Sequence, residues 1–435
     1  MTVTESQTLP TTPTNLRPVA PTERVEILDI LRGFALFGVL AVNIGSFSGL
    51  PVDPLSFYVP PPGTLDWAAA WLVAFFLTAK SYSMFALLFG LGLAIQMERA
   101  AAKEQSFGPF FLRRMLVLFL IGLAQGYLLW QGDILMVYAI LGCLLFMVRK
   151  IQLSTMLIWA GMLLAVLFLA HLASGIAIAT AGLWSGGEEV MREMEPQRAQ
   201  PLTADAIAAI TESFRNGGFR EVLDARLTQL AAVFPIQLID GFPNIFSMIL
   251  LGFYAGQRRL LTQTHEHITL LRRLLLWGLL VGIPANLVYA TVYTTINPTS
   301  LTASVFFATA LHSVGAPALM LGYLAAITLL VARQGFWGRA LHILAPMGRM
   351  ALSNYVGQSV LMNLIFYSYG LAFLPALYAQ TNAAINLGIA IAIFVIQIIV
   401  SSVWLRFFRF GPLEWLWRSS TYGKLQPMRR RATVS

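Results

Sequence analysis

The chain has 435 residues, 57% of them apolar and 11% charged, a balance that excludes a soluble domain of this size. Twenty-nine Lys and Arg against 20 Asp and Glu give a formal charge of +9. The basic residues cluster in loops between apolar runs, as membrane topology requires, so no nucleic-acid partner is expected. The lone cysteine, Cys143, lies in an apolar stretch and excludes an intramolecular disulfide or a cysteine zinc cluster.

An all-α fold is expected, a polytopic transmembrane helical bundle in the lipid bilayer. Residues 1–24, rich in Thr and Pro, read as a disordered cytoplasmic tail. The apolar run that follows is too long for a removed signal and lacks a small-residue cleavage site, so it is expected to stay as an anchor. Apolar runs fall near 27–47, 66–97, 110–129, 133–149, 153–182, 233–256, 270–295, 302–331, 341–370 and 383–408. At roughly 20 residues per crossing they predict about ten spans. The second run is over-long and interrupted by Lys80-Ser81-Tyr82-Ser83; read as two pieces, it raises the count to eleven. The organisation is then N-terminal transmembrane helices over 25–182, an extracytoplasmic amphipathic segment over 183–232, C-terminal transmembrane helices over 233–423, and a basic cytoplasmic tail over 424–435.

Charge distribution orients the bundle. Basic residues occupy Arg17 and Arg24, the loop from Arg99 to Arg114, Arg149-Lys150, Arg258-Arg259, Arg272-Arg273, Arg333 with Arg339, and the stretch from Arg406 to Arg431. The alternate loops 48–65, 130–132, 296–301 and 371–382 contain neither Lys nor Arg. With five arginines and eight acids, 183–232 is the exception, and long loops cross regardless of such charges. Both termini are therefore expected in the cytoplasm.

Ionisable and amide groups inside apolar runs are costly, so each is a site candidate. Asp29 and Arg32 are three apart and share a helix face, as a salt bridge or a binding pair, with Gly33 admitting a close neighbour. Asn43 lies nearer the other leaflet, as interhelical glue or a ligand group. Lys80, about 21 Å into its run at 1.5 Å per residue, must pair, deprotonate or reach water, and Tyr82 beside it could orient a substrate. Gln125 precedes a tight Trp130-Gln131-Gly132-Asp133 hairpin. Asp133 either caps the next helix or serves as a general base or ligand group. His312 sits near mid-membrane, as a hydrogen-bonded core histidine or an acid–base group. Arg349, Asn354 and Gln358 run along one helix for roughly 13 Å, either as polar glue or as a site for an anionic or polyhydroxylated substrate. His265 and His267 flank Glu266 with no thiolate nearby, so no metal site is expected. Phosphate-loop, dinucleotide-binding, nucleophile-elbow and His-Glu-x-x-His motifs are absent.

The run ends at Arg409-Phe410-Gly411-Pro412-Leu413-Glu414-Trp415-Leu416-Trp417-Arg418, where Gly-Pro stops a helix and Trp and Arg suit a membrane boundary. Glu414 is expected to pair with an arginine of the same side, Arg418 among them, and latch the last helix to the first and ninth. Three ordered blocks, Leu28-Asp29-Ile30-Leu31-Arg32-Gly33 with Asn43, Gly132-Asp133-Ile134-Leu135 with Tyr138, and Gly348-Arg349-Met350-Ala351-Leu352-Ser353-Asn354-Tyr355 with Gln358, join this terminal block and Lys80-Ser81-Tyr82-Ser83-Met84-Phe85. Together, over about 24–423, they resemble the YeiB-like family of bacterial inner-membrane proteins.

That resemblance implies a multi-helix bundle distantly related to membrane acyltransferases, including the enzyme that acetylates heparan glucosamine. Such enzymes take an acyl group from a cytoplasmic acyl-CoA and deliver it across the membrane. Two departures bear on catalysis: 44–66 contains no histidine, and Gln125 stands where many members have one. The function expected is that of an inner-membrane acyltransferase-like protein, with acyl-CoA as co-substrate, no covalently bound cofactor, and an envelope glycan or lipid as acceptor. Arg113, Arg114, Arg258, Arg259 or Arg349 would meet the donor phosphates. His312 or Asp133 would act as base, Lys80 and Tyr82 would stabilise charge, and Asp29, Arg32, Asn43, Gln125, Asn354 and Gln358 would contact substrate. The alternatives are a transporter of a small anion, metabolite or lipid, and a non-catalytic scaffold; a homo-oligomer fits any of the three.

Overall fold

The computed structural model describes residues 25–49, 59–102, 107–183, 185–187, 189, 204–236, 241–297, 300–370 and 377–430. The tail expected to be disordered, 1–24, lies outside these, as do 190–203 of the predicted outer segment and 431–435 of the basic tail. The described chain is helical, its one β contact a bridge between Phe408 and Arg429. Its elements are α1 (Glu26–Ser48), α2 (Leu65–Phe76), α3 (Lys80–Ala101), α4 (Phe107–Leu128), α5 (Leu135–Val148), α6 (Leu153–Ala179) and α7 (Ala204–Asn216). After them come α8 (Phe219–Ile236), α9 (Phe242–Gln257), α10 (Ile268–Thr295), α11 (Ala303–Ala332), α12 (Ala351–Phe366), α13 (Ala383–Phe407) and α14 (Pro412–Tyr422).

Among the described residues, seven helical stretches are long and apolar enough to cross a membrane, with α2 and α3 counted as one. The runs at 133–149, 233–256 and 341–370 give α5, α9 and α12, of 14, 16 and 16 residues. These fall short of the roughly 20 residues a full crossing takes. The last run is shortened because its first part, 341–349, is spent on short helical turns before α12 begins.

Periodicity shows which faces meet lipid. On α4, Leu112, Leu116, Leu120 and Leu123 are exposed, whereas Phe111, Met115, Leu118, Gly122 and Gln125 are buried. An apolar face turned outward and a mixed face turned inward is what a bilayer selects. On α13 the inward stripe is polar, with Asn386, Gln397 and Ser401 buried. The central element is α1, which packs on α3, α12, α13 and the 345–349 turn.

Close helix contacts are made through glycine. A methyl on Gly90 would collide with Ile249 O, and one on Gly252 with Leu87 O, so α3 and α9 pack backbone to backbone. Gly278 and Gly282 play the same part against Ala318, Leu319 and Gly322 in the α10–α11 pair. Gly252→Leu is expected to force α3 from α9 and lower the thermal midpoint of the purified protein; an unchanged midpoint would show that the contact is dispensable.

The over-long second run is two helices. Leu77 N and Thr78 N both donate to Val73 O at 3.0 Å, which closes α2. Ala79 then takes a left-handed φ of 64° before α3 starts at Lys80. A non-glycine residue there carries backbone strain of about 1–3 kcal/mol, sustained only by its surroundings. Lys80 supplies part of that support: its Nζ donates to Ala74 O at 3.1 Å, across the break.

The predicted amphipathic segment contains α7 and α8, which pack on each other and lie over the α4–α5 hairpin. Arg226 of α8, 1% exposed, seals this contact. It donates to Leu128 O at 2.5 Å and to Asn363 Oδ1 at 2.9 Å, while Asn363 Nδ2 donates to Leu129 O at 2.9 Å.

Candidate functional site

A cavity of about 580 Å³ lies among α1, α3, α4, α5, α9, α12 and α14. Its two ends differ in chemistry. Toward the face where α1 begins, Arg32, Arg114, Arg349 and Arg418 line it together with Glu414. Deeper in the bundle the polar lining is Asn43, Ser81, Tyr82, Asp133, Tyr138 and Tyr355, with Trp130 beside them. Val39, Leu88, Leu93, Met115, Leu118 and Ile245 supply apolar wall.

Glycine contacts assemble the arginine end. A methyl on Gly33 would strike Leu344 O, and one on Gly348 would strike Asp29 O, so the turn carrying Arg349 lies directly on α1 beside Arg32. Arg32 NH1 donates to Asp29 Oδ1 at 3.1 Å, the predicted i,i+3 pair. Arg114 lays its guanidinium 3.6 Å from the centre of the Trp417 ring, and Trp417 Nε1 donates to Arg114 O at 3.0 Å. Arg418 stands over Phe410 at 4.7 Å. Arg32 and Arg418 both lie close enough to Arg114 to act on it as like charges.

Glu414 makes its hydrogen bonds elsewhere than to an arginine. Its Oε1 accepts from Leu352 N at 2.7 Å and Ser353 N at 3.1 Å, and its Oε2 from Ser353 Oγ at 2.5 Å. The predicted latch to the ninth run is thus made through the open amides at the start of α12, where a carboxylate also complements the helix dipole. Burial raises the Glu414 carboxyl above its ordinary range, with the three donors partly opposing it. An acid whose folded-state pKa is raised stabilises the fold most fully below its unfolded value. That contribution fades as pH rises from the unfolded value of 4.5 through the raised one. Glu414→Gln is therefore expected to fold and to flatten the pH dependence of stability over that window. A variant that keeps the wild-type pH profile would remove Glu414 from that role.

The deep end is built by the hairpin. Leu129 N and Trp130 N both donate to Gln125 O at 2.8 Å, turning the chain back against α4. A methyl on Gly122 would lie 2.8 Å from Asp133 Oδ2, so Asp133 sits level with Gly122 rather than beyond the end of α4. Asp133 Oδ2 accepts from Leu135 N at 3.0 Å and Met136 N at 3.1 Å, the predicted cap. Its Oδ1 accepts from Tyr355 OH at 3.3 Å. Tyr138 OH donates to Tyr82 O at 2.9 Å and fixes the neighbouring wall. Eight residues of α4 separate Arg114 from Gly122, so the two ends lie about 12 Å apart along that helix.

The other candidates lie outside the cavity. Gln125 Nε2 donates to Ser359 Oγ at 3.2 Å between α4 and α12. Asn354 and Gln358 do share one face, but that face meets α13. Asn354 Nδ2 donates to Ser401 Oγ at 2.9 Å, Gln358 Nε2 to Gln397 Oε1 at 2.9 Å, and Gln397 Nε2 back to Asn354 O at 3.0 Å. This is interhelical glue, and of that predicted trio Arg349 alone lines the cavity. His312 stacks on Tyr289 with centroids 3.6 Å apart and has Lys80 within electrostatic reach, in a separate cluster. Arg259 pairs with Glu98, and Arg258 lies 5.9 Å from the Tyr254 ring. Arg113 and both of these face the exterior, leaving Arg114 and Arg349 as the predicted phosphate ligands that reach the cavity. Tyr355, Tyr138 and Trp417 stand within the blocks that carry the resemblance but had no site role from sequence; a usable signal was their place beside Asn354, five residues past Asp133, and next to Arg418.

An apolar helical bundle enclosing a chamber with arginines at one end and a carboxylate at the other defines the chain as a polytopic membrane protein with an internal cavity polar at its two ends. The family described as Protein of unknown function (DUF418) matches residues 255–424. The chain is 32% identical over 435 residues to the uncharacterized protein YxaH of Bacillus subtilis (strain 168), covering 97% of this chain and 100% of that one. It belongs to this family. It is also 28% identical over 418 residues to the uncharacterized protein YeiB of Escherichia coli (strain K12), covering 92% and 96% of the two chains. An uncharacterized 39.9 kDa protein from the amylase 3' region of Bacillus acidopullulyticus is 28% identical over 413 residues, covering 94% and 97%. No solved structure matches the chain.

Proposed function

We propose that the cavity is the reaction chamber of an inner-membrane acyltransferase-like protein, with both termini in the cytoplasm. The observation that carries this reading is Asp133, a carboxylate oriented by two amides and a tyrosine at the deep end of an otherwise largely apolar cavity. An acyl-CoA-type donor enters from the face where α1 begins; an envelope glycan or lipid hydroxyl approaches from the opposite side, beneath α7 and α8. Asp133 takes the hydroxyl proton as that oxygen attacks the thioester carbonyl. The new C–O bond forms, the C–S bond breaks, and the leaving thiolate receives the proton back from Asp133, which restores the carboxylate. Tyr82 and Asn43 are placed to orient the reacting groups, whereas Lys80 and His312 support the α2–α3 break and the α10–α11 pair. Purified full-length protein in nanodiscs, given a panel of acyl-CoA chain lengths and sugar and lipid acceptors, is expected to consume at least one donor in an acceptor-dependent manner. Neither binding nor turnover across the panel would end this reading.

The strained break at Ala79 supports transport as a second reading, because discontinuous helices beside a cavity suit alternating access. Substrate counterflow in proteoliposomes, abolished by Lys80→Ala or Arg349→Ala, would select it over acyl transfer.

A further inference from the structure

We propose that the arginine end of the cavity binds the phosphate group of a phosphorylated amphiphile, whose apolar portion runs inward along the α3–α4–α5 wall. The inference rests on the cavity being a ligand chamber, and it holds whether or not acyl transfer takes place there. Among the described residues four arginines and two carboxylates line the cavity, and the rest of the lining is largely apolar. One of those carboxylates, Glu414, is bound by the amides and hydroxyl at the start of α12; the other, Asp133, lies at the far end.

Like charges gathered at one place repel one another, and an anion bound between them is favoured. Arg32 and Arg418 both act on Arg114 in that way, and the three arrive from different helices, α1, α4 and α14. Guanidinium groups offer planar, forked donors that match phosphate oxygens. Arg114 is held flat on Trp417 and Arg32 is tied to Asp29, so ordering these side chains demands little of the ligand. The wall beyond them is Leu88 and Leu93 of α3, Met115 and Leu118 of α4, and Leu135 and Val137 of α5, which offers a hydrocarbon chain a place and an inorganic ion nothing. A phosphate head on an apolar tail fits both halves. Acyl-CoA and a lipid phosphate share that chemistry.

Binding to full-length protein in uncharged nanodiscs distinguishes the parts of this proposal, with decyl phosphate, inorganic phosphate and decanol as the three probes. Decyl phosphate is expected to bind more tightly than either of the others, and more weakly as salt is raised. Arg114→Gln combined with Arg418→Gln is expected to weaken decyl phosphate at least about tenfold, two charge-assisted contacts being lost. The Arg114→Lys, Arg418→Lys protein keeps the charge and serves as the folding control, with binding expected between the two. Equal binding of inorganic phosphate and decyl phosphate would overturn the amphiphile, and an unaffected affinity in the folded Gln variant would overturn the arginine site. Competition by coenzyme A or by phosphatidic acid supports the site and assigns its source; competition by neither overturns it. Asp133→Asn separates this inference from acyl transfer: it is expected to leave decyl phosphate binding intact. Turnover without decyl phosphate binding would sink the site and spare the transferase; binding without turnover would do the reverse.

Discussion

Asp133→Asn is expected to abolish acyl transfer while the protein still folds. Asparagine keeps an oxygen to accept from Leu135 N and Met136 N, so the start of α5 remains capped, and its amide can donate to the Tyr355 hydroxyl. What it loses is the capacity to take a proton. A positioned general base contributes about 10²–10⁴-fold, and the loss should fall in that range. Asp133→Ala removes the cap as well, at about 1 kcal/mol, and so should lower stability where Asp133→Asn does not. Matched thermal midpoints and donor turnover for the two variants check this. Wild-type turnover by Asp133→Asn would reduce Asp133 to its cap and return the base role to an open question.

Arg226→Ala should have the largest effect on stability. The side chain is 1% exposed and ties α8 to the last carbonyl of α4 and to Asn363 of α12. Truncation leaves Leu128 O without this donor in a buried site and opens space beside Tyr367, whose ring lies 5.7 Å from the guanidinium. The expected cost is about 3 kcal/mol, a charge-assisted hydrogen bond together with lost packing. The α7–α8 hairpin should then yield to protease well before the membrane helices. Arg226→Lys, which keeps one donor, should fall between the two. Equal protease resistance in wild type and Arg226→Ala would show that the hairpin is held by its apolar contacts alone, such as the Phe214–Tyr367 stack at 4.8 Å.

Apolar run length made the membrane bundle legible in the sequence, because it is an average over many residues. The break at Lys80 and the cap at Asp133 were legible for a different reason: a cation deep in an apolar run and an acid at a tight turn each have few satisfactory surroundings. Asn354 and Gln358 show where such reasoning stops. Their i,i+4 spacing places them on one face, and nothing in that spacing says whether the face meets a cavity or another helix. Ser401 and Gln397, on the partner helix, decided it. Arg226 escaped notice because arginine in a near-neutral amphipathic stretch reads as a surface residue, while its buried partners lie 98 and 137 residues away. The arginine end was half legible. Arg114, Arg349, Arg32 and Arg418 were each candidates, but under three separate headings, and only the packing of Gly33, Gly348 and Trp417 brings them to one place.

The chamber itself is tested most directly by an experimental density map of the full-length protein extracted from its native membrane without added ligand. The account predicts elongated density between α3, α4 and α5, with its strongest feature, a phosphate group, between Arg32, Arg114 and Arg418 and its other end near Asp133. Side chains closed together across that volume, leaving no space between Arg114 and Asp133, would contradict it.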